Sequence, residues 1–187
     1  GHAVMIENPE ERKATAEKAM GLLAHTSEIL GQAGIPVKIV SGGGTGTYNI
    51  TSRCPGITEV QAGSYLTMDR QYRENVGIRD FEYALTLLTT VIHADAQLAV
   101  GDAGMKSLST DFGMPGVLRP PGWKVRNLAE EHCFLENAGG APLKPGDTVE
   151  LVPGHGCTTI NLHDVYHVLR DGVLEGAWRI SARGKSW

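Results

Sequence analysis

The spacing of apolar and polar positions divides the chain into two parts. In residues 1–79 a helical repeat alternates with short apolar runs, which is typical of an α/β fold. Asn8 can cap a helix, Pro9 fits its first position, and Glu11 completes a pattern like a capping box. We therefore expect a long helix that begins at Pro9 and ends at the glycines near residue 31. Its apolar positions near one face are Ala16, Met20, Leu23 and Leu30.

Glycine-rich loops follow two of the apolar runs that we predict to be strands. The run 36–40 leads into Ser-Gly-Gly-Gly-Thr-Gly-Thr at 41–47, and the run 58–62 leads into Gly-Ser-Tyr at 63–65. Glycine lets backbone N–H groups approach an anion closely, and the hydroxyls can donate as well. The first loop lacks both the lysine of the Walker motif and the glycine spacing of the dinucleotide motif. In a parallel barrel both loops would lie on one rim and could bind one phosphate, the alternative being a glycine turn without a ligand.

From about residue 82 the pattern changes toward β-strands. Asp171-Gly172 between two apolar runs is typical of a tight hairpin, and prolines at 115, 120 and 121 indicate a loop. The first part of the chain has only two or three predicted parallel strands, too few for a complete barrel. We therefore expect the α/β part to be truncated on its N-terminal side. The strands predicted in the second part cover 83–93, 97–100, 149–152, 160–162, 165–169 and 173–180.

His155 and Cys157 are two residues apart in a segment that we predict to be extended, so their side chains would point to the same side. Imidazole and thiolate together suit zinc, and two protein ligands leave positions open for water or substrate. Taken alone, the spacing favours a structural or inert pair over a metal site, since a His and a Cys two positions apart also occur by chance. His132 and Asp164 are possible further ligands, although nothing in the sequence places them nearby.

Composition narrows the class of protein. The chain has 187 residues, 41% of them hydrophobic, and a net charge of −4, which is ordinary for a globular protein and unfavourable for nucleic acid. We find no apolar run of about 18 residues and no signal-peptide pattern, so we expect no membrane association. Three cysteines without close spacing favour reduced thiols and a cytoplasmic location. The first residue is not methionine, which indicates processing or a piece of a longer protein.

Four segments, taken together and in order, resemble a known family. Residues 40–48, 58–70, 102–109 and 153–157 are similar to the C-terminal half of the D-threonine aldolase and D-serine dehydratase-like family. These are fold-type III pyridoxal phosphate enzymes related to alanine racemase. The resemblance spans essentially the whole chain, and the likeness of Ser-Ala-Arg-Gly at 181–184 to the family's end implies that Trp187 lies near a true C-terminus.

The resemblance implies a fold and a set of binding residues. Residues 1–80 would be the last strands and helices of a (β/α)8 alanine-racemase-like barrel, and 81–187 a C-terminal β-domain. Gln61 falls where the family places a side chain against the pyridine nitrogen, and a neutral glutamine cannot protonate that nitrogen fully. His155 and Cys157 match the family's pair for a divalent metal, zinc or manganese, which orients the substrate's β-hydroxyl. The implied pyridoxal phosphate-binding residues are Ser41, Gly44, Thr45, Gln61, Gly63 and Ser64.

The motifs disagree about which reaction the resemblance implies. The glycine loop at 41–47 is similar to that of aldolases acting on D-threonine or 3-hydroxy-D-aspartate. Cys157 is similar to the cysteine of the zinc-dependent dehydratases, whereas some relatives, including aldolases, have aspartate there. We therefore expect a lyase acting on a D-configured β-hydroxy amino acid, with a D-serine dehydratase-type ammonia-lyase as the alternative. A racemase is a third possibility, which the His155–Cys157 pair disfavours because racemases of this type need no metal.

The family's Schiff-base lysine lies in the N-terminal half, which has no counterpart in residues 1–187. No lysine of this chain matches that position. We therefore expect the chain to be the C-terminal portion of a complete enzyme, completed by its N-terminal half and pairing as a homodimer. The catalytic base cannot be assigned from these residues, and the chain alone should not catalyse the family reaction. A non-catalytic module that binds an anion or the cofactor is the competing hypothesis.

Overall fold

The computed structural model describes residues 2–185 and divides them into two compact units. Unit 1 comprises the residues up to Met68 together with Tyr72–Glu82, and unit 2 comprises Asp69–Gln71 and the residues from Tyr83 onward. Trp187, which the resemblance places close to a true C-terminus, lies outside the described residues. Among residues 2–185, no helix combines the length and apolar character that a bilayer crossing requires.

Unit 1 begins with the predicted long helix, α1, at Pro9–Gln32. The Asn8 side chain accepts hydrogen bonds from the backbone N–H groups of Glu10 and Glu11, at 3.0 and 3.1 Å, which confirms the predicted cap. Arg12 is buried on this helix and donates to the carbonyl of Val76 at 2.8 Å. This long-range bond connects the helix to the segment near the end of unit 1. It also gives the buried guanidinium a hydrogen-bond acceptor, without which burying its charge would be costly.

The parallel strands of unit 1 are much shorter than predicted. They are β1, Ser41–Gly42, and β2, Glu59–Val60, paired in parallel with Ser41 opposite Glu59. The prediction of a strand over 36–40 is wrong, since the ladder begins only at Ser41. At Val40 the carbonyl accepts from the N–H groups of Thr58 and Glu59, but the N–H donates to the hydroxyl of Thr58 at 2.8 Å and not to a backbone carbonyl. The remaining short elements of this region are the 3-10 turns His2–Met5, Thr45–Thr47 and Ser64–Leu66, the helix α2 (Tyr48–Thr51), and the π-helical turn Gln71–Val76.

Unit 2 is built on a six-stranded sheet in which all neighbours are antiparallel. Its order is β5-β8-β3-β4-β7-β6, and the edge strands β5 and β6 approach each other, so the sheet curls toward a barrel. Alternate side chains of each strand enter one core, as Cys133 and Leu135 do in β7. The strands are β3 (Leu87–Ala94), β4 (Leu98–Gly101), β5 (Gly116–Arg119), β6 (Trp123–Leu128), β7 (Cys133–Asn137) and β8 (Thr148–Val152).

The end of unit 2 contains a short helix and a hairpin. The helix α3 covers Gly156–Ile160, so the prediction of a strand over 160–162 is wrong. Strands β9, Val165–Arg170, and β10, Val173–Arg179, form the predicted hairpin. Asp171 and Gly172 take φ values of 50° and 78° in the turn, the left-handed region that this kind of turn requires.

Close packing between the β4–β5 and β6–β7 connections depends on Gly104. A Cβ at Gly104 would lie 2.4 Å from the carbonyl oxygen of Ala129 and 2.5 Å from the backbone nitrogen of His132. We expect Gly104→Ala to lower the free energy of unfolding by about 2 kcal/mol or more, because backbone atoms must move to admit the methyl group. A Cβ at Gly176 meets nothing within 4 Å, so Gly176→Ala is the matched control. Urea unfolding curves that shift equally for both variants would contradict this account.

Candidate phosphate loops and metal pair

The two glycine-rich loops of unit 1 lie side by side. Because β1 and β2 are parallel neighbours, the segments that follow them leave the same edge of the pair. The N–H of Gln61 donates to the carbonyl of Gly42 at 3.2 Å, and the N–H of Tyr65 donates to the hydroxyl of Thr45 at 3.1 Å. The structure therefore brings together the two loops, which carry the predicted cofactor-binding residues except Gln61, and Gln61 directly precedes the second loop.

The glycines of these loops fall into two groups. Gly43 has a φ of 72°, and a Cβ there would lie 2.5 Å from the Thr51 hydroxyl oxygen; at Gly46 a Cβ would lie 2.1 Å from a Val4 methyl carbon. A Cβ at Gly63 meets nothing within 4 Å, and at Gly44 it meets only a backbone oxygen at 3.8 Å. The first group packs against protein, whereas the second leaves open space beside the loops.

The hydroxyl-bearing residues of the loops differ in their surroundings. Thr45 is buried, and its hydroxyl oxygen already accepts a backbone hydrogen bond from the second loop. Ser41 donates to a carboxylate oxygen of Glu59 at 2.5 Å, across the strand pair. Gln61 is exposed and Ser64 half-buried. Thr45 and Ser41 therefore support the loops directly, while Ser64 lies beside the open position at Gly63.

An aromatic cluster that sequence reasoning missed joins the two loops. The Phe81 ring packs against Tyr48, which follows the first loop, and Tyr65 of the second, with ring centroids 5.5 and 5.3 Å apart. The Tyr48 hydroxyl donates to the carboxylate of Asp80. Arg73 donates to the carbonyl of Phe81 at 2.5 Å. These contacts fix both loops to the same segment of unit 1.

His155 and Cys157 are neighbours in unit 2, although not in the predicted way. His155 is extended, with φ −139° and ψ 136°, but it caps α3, and Cys157 lies within that helix. The expectation of one extended segment is therefore wrong, because the chain turns at Gly156, whose N–H donates to the Asp69 carboxylate at 3.0 Å. The side chains of His155 and Cys157 nevertheless hydrogen-bond to each other.

A buried carboxylate holds His155. The imidazole Nδ1 lies 2.9 Å from Asp69 Oδ2, and the Asp69 side chain is completely buried. This bond and the one to Cys157 raise the pKa of His155 to about 10. The Phe112 ring covers the imidazole with a centroid distance of 4.6 Å. Burial and, to a smaller extent, the electrostatic influence of the nearby Cys157 raise the pKa of Tyr166.

The other candidate ligands lie elsewhere. Asp164 pairs with Arg183 at 2.9 Å, and His132 lies half-buried in the β6–β7 connection, where its carbonyl accepts from the N–H of Ala129 at 2.8 Å. Within residues 2–185, no three His, Cys, Asp or Glu side chains come together in a geometry that could hold a metal ion. His155 and Cys157 thus remain the candidate metal ligands, and no third His, Cys, Asp or Glu of the described part of the chain completes a metal site with them.

Comparison with known proteins identifies the family. Residues 84–169 match the family model of a serine dehydratase domain. A 3-hydroxy-D-aspartate aldolase from Paracoccus denitrificans is 38% identical over 97% of this chain and 49% of its own length. The solved D-threonine aldolase of Filomicrobium marinum superposes with a TM-score of 0.93 at 32% identity, over 100% of this chain and 52% of that one. The chain belongs to the D-threonine aldolase and D-serine dehydratase-like family. The fold-type III assignment is therefore confirmed, and the alanine racemase-like fold recurs among the structural neighbours.

The relatives of this chain include both aldolases and dehydratases. A D-threo-3-hydroxyaspartate dehydratase from Delftia sp. (strain HT23) is 32% identical over 94% of the chain and 52% of its own length, and its solved structure superposes with a TM-score of 0.79. Further solved D-threo-3-hydroxyaspartate dehydratase structures carry alanine in place of a histidine and, in a metal-free form, alanine in place of a cysteine two positions later. The chain spans about half the length of the curated relatives it matches.

The loops and the donor pair of this family member fit a phosphate and a metal. Gly44 and Gly63 leave open space where a Cβ would stand on two neighbouring loops, so an anion could approach the backbone there without meeting a side chain. Imidazole nitrogen and thiolate sulfur are donors that zinc prefers, and a two-residue donor set leaves coordination positions open. The residues present are therefore compatible with both groups.

The Asp69–His155 pair should make the stability of the metal-free protein depend on pH. The pKa of His155 is about 10 when folded and near its ordinary value of roughly 6.5 when unfolded. The protonated pair therefore stabilises the fold fully below about pH 6.5, and this contribution disappears as the pH rises toward about 10. We expect urea unfolding with a chelator present to show a loss on the order of a few kcal/mol over that range. The His155→Gln variant should lack this loss. If the free energy of unfolding of the wild-type and variant proteins changed with pH in the same way, the prediction would be refuted.

Proposed function

We propose that the chain is the C-terminal portion of a pyridoxal phosphate- and divalent metal-dependent lyase of the D-threonine or 3-hydroxy-D-aspartate aldolase type. Residues 1–80 would contribute the last part of a (β/α)8 barrel, and residues 81–187 the β-domain with the metal pair. The observation that carries the proposal is that one chain of this family holds both the paired glycine loops and the His155–Cys157 pair. The relatives are about twice as long, which supports completion by an N-terminal half.

Residues of unit 1 would hold the cofactor by its phosphate. The backbone N–H of Gly63 and the hydroxyl of Ser64 would donate to the phosphate oxygens, and the N–H of Gly44 would join them by exchanging its long bond to the Thr47 hydroxyl, at 3.4 Å, for one to phosphate. Thr45 and Ser41 would keep the two loops together. Gln61 would lie against the pyridine nitrogen and leave it without a full positive charge. Pyridoxal phosphate, when bound, supplies the electron sink that cleavage at the α-carbon needs.

Residues of unit 2 would hold the metal and, through it, the substrate. His155 and Cys157 would bind a zinc or manganese ion that supplies Lewis acidity at the substrate's β-hydroxyl. The Phe112 ring packs against the His155 imidazole, which is 12% exposed, whereas the Cys157 thiol is open to solvent and to an incoming substrate. The substrate would be a D-configured β-hydroxy amino acid, and a homodimer would be the active form.

A dehydratase is the second candidate because of Cys157. A solved D-threo-3-hydroxyaspartate dehydratase has a histidine and a cysteine two positions apart, as His155 and Cys157 are here, and a structure of its cysteine-to-alanine variant is in the metal-free form. The two reactions differ in which proton a base removes. Removal of the hydroxyl proton gives glycine and an aldehyde, whereas removal of the α-proton with loss of water gives a keto acid and ammonia.

The products formed by the full-length protein separate these functions. We would supply D-threonine, threo-3-hydroxy-D-aspartate and D-serine, with and without a chelator, and assay glycine, aldehyde, keto acid and ammonia. We expect glycine and an aldehyde, lost with the chelator and restored by zinc or manganese. Formation of a keto acid and ammonia would contradict the aldolase function and support the dehydratase function. Cofactor binding without any product would favour the non-catalytic module.

A further inference from the structure

The tripeptide Asp69–Gln71 belongs to unit 2, although the residues on either side of it belong to unit 1. Two backbone hydrogen bonds attach it next to the metal pair. The N–H of Arg70 donates to the carbonyl of Pro153 at 3.2 Å, and the N–H of Gln71 donates to the carbonyl of Gly154 at 3.0 Å. Residues 153 and 154 immediately precede His155, so the position of Asp69 relative to the imidazole is set by backbone pairing.

The side chain of Arg70 strengthens this attachment. Its guanidinium donates to the carbonyl of Met114 at 2.8 Å. A Cβ at Gly116 would lie 2.7 Å from Arg70 Cδ, so the glycine provides the space that the arginine stem occupies. Asp69 is therefore held by the backbone of the two residues that follow it and by the Arg70 side chain, independently of its own bond to His155.

The carboxylate of Asp69 hydrogen-bonds to the turn that contains His155 and Gly156. A single oxygen, Oδ2, lies 2.9 Å from Nδ1 of His155 and 3.0 Å from the backbone nitrogen of Gly156. An ionised carboxylate can only accept, so the Nδ1 atom of the imidazole must carry a hydrogen. In the neutral ring the lone pair then resides on Nε2, the atom on the other side of the imidazole.

We propose that Asp69 is a positioning residue, one that fixes the ring orientation and tautomer of His155 so that Nε2 is the metal ligand. This inference rests on the metal role proposed above. The same oxygen also holds the N–H of Gly156, at the turn that places Cys157 on α3 beside the imidazole. Asp69 therefore acts on both members of the pair, which is the effect that carboxylate partners of metal-binding histidines have elsewhere.

A metal titration of the full-length protein tests this role without using catalysis. The probe is Co²⁺ alone, added to metal-free protein, with the thiolate-to-cobalt absorption band reporting coordination by a cysteine. Asp69→Asn keeps the size of the side chain and an oxygen acceptor but removes the charge. We expect it to weaken Co²⁺ binding by about 10- to 100-fold. Asp102→Asn is the matched control, because Asp102 accepts from Thr89 and the N–H of Thr90, within the β-sheet region of unit 2, and should leave the affinity unchanged.

The outcomes separate this inference from the proposed function. Wild-type protein that binds no Co²⁺ would overturn the metal role and the inference with it. Wild-type binding that Asp69→Asn leaves unaltered would overturn only the positioning role. Because Asp69→Asn could impair folding, histidine-selective ¹⁵N spectra of wild-type protein with zinc provide a second measurement. Hydrogen on Nδ1 and metal on Nε2 of His155 would support the inference, and the reverse assignment would overturn it.

Discussion

Replacing Cys157 with alanine in the full-length enzyme is expected to lower the metal-dependent kcat/KM on the order of 10³-fold. The reason is that His155 alone offers one donor, and no other His, Cys, Asp or Glu of residues 2–185 forms a three-membered group with this pair. A metal ion contributes several kcal/mol by stabilising charge on the substrate oxygen. The measurement is steady-state lyase activity of chelator-treated protein reconstituted with zinc or manganese.

Cys54→Ala is the matched control for this loss. Cys54 is a half-buried thiol of unit 1 that donates to the carbonyl of Ile50, outside the metal pair. We expect the control to keep its metal-dependent activity and its metal content. Full activity of metal-free Cys157→Ala protein would eliminate the metal from the account, whereas equal losses in both variants would indicate a general effect on folding.

Placing a carboxylate at Gly63 is the second change expected to have a large effect. A Cβ at this position meets nothing within 4 Å, and the backbone has an ordinary φ of −127°, so the fold can accept a side chain here. Gly63→Asp would put a negative charge beside the proposed phosphate position. At an effective dielectric of about 20, two charges about 5 Å apart repel by roughly 3 kcal/mol, which corresponds to a loss of affinity on the order of 10²-fold.

Gly63→Asn isolates the charge from the size of the new side chain. We expect it to retain most of the affinity for pyridoxal phosphate, because asparagine has the shape of aspartate without the charge. Binding of pyridoxal, which has no phosphate, should be equally weak in wild-type and Gly63→Asp protein. Visible absorption titrations measure these affinities. Equal affinity of the wild-type and Asp proteins for pyridoxal phosphate would show that the phosphate lies elsewhere.

Elements with strong local signals could be predicted from the sequence. The Asn8 cap, the Asp171-Gly172 turn and the strand near 149–152 all agree with the structure, because each depends on neighbouring residues. The run 36–40 is apolar enough for a strand, yet a side-chain hydroxyl takes the N–H of Val40. Such competition by a hydroxyl 18 residues away cannot be read from the local pattern.

The strands β5 and β6 were missed for a different reason. Pro115, Pro120 and Pro121 indicate a loop, and proline is in fact confined to edge strands or their ends because it cannot donate to a ladder. Both β5 and β6 are edge strands of the six-stranded sheet, so prolines beside them disturb no central pairing. Edge position is a property of the assembled sheet, which the sequence around one strand does not reveal.

In the candidate site, too, part of the arrangement could be predicted from local sequence and part could not. Spacing singled out His155 and Cys157, but their geometry depends on a turn at Gly156 that Asp69 holds from 87 residues away. Asp69 lies within the segment 58–70 that carries part of the family resemblance, so a signal was present without indicating its role. A buried carboxylate facing a distant histidine becomes visible only once the chain has folded.

The most direct test of the account is borohydride reduction of the full-length protein with pyridoxal phosphate, followed by peptide mapping. The account predicts a yellow protein whose reduced pyridoxyl group sits on a single lysine outside residues 1–187, and Gly63→Asp should abolish the label at low cofactor concentration. A pyridoxyl group on one lysine of this chain, such as Lys38 or Lys106, would contradict the assignment of these residues to the phosphate-binding and metal-binding half. Protein with no trappable cofactor would contradict the lyase itself.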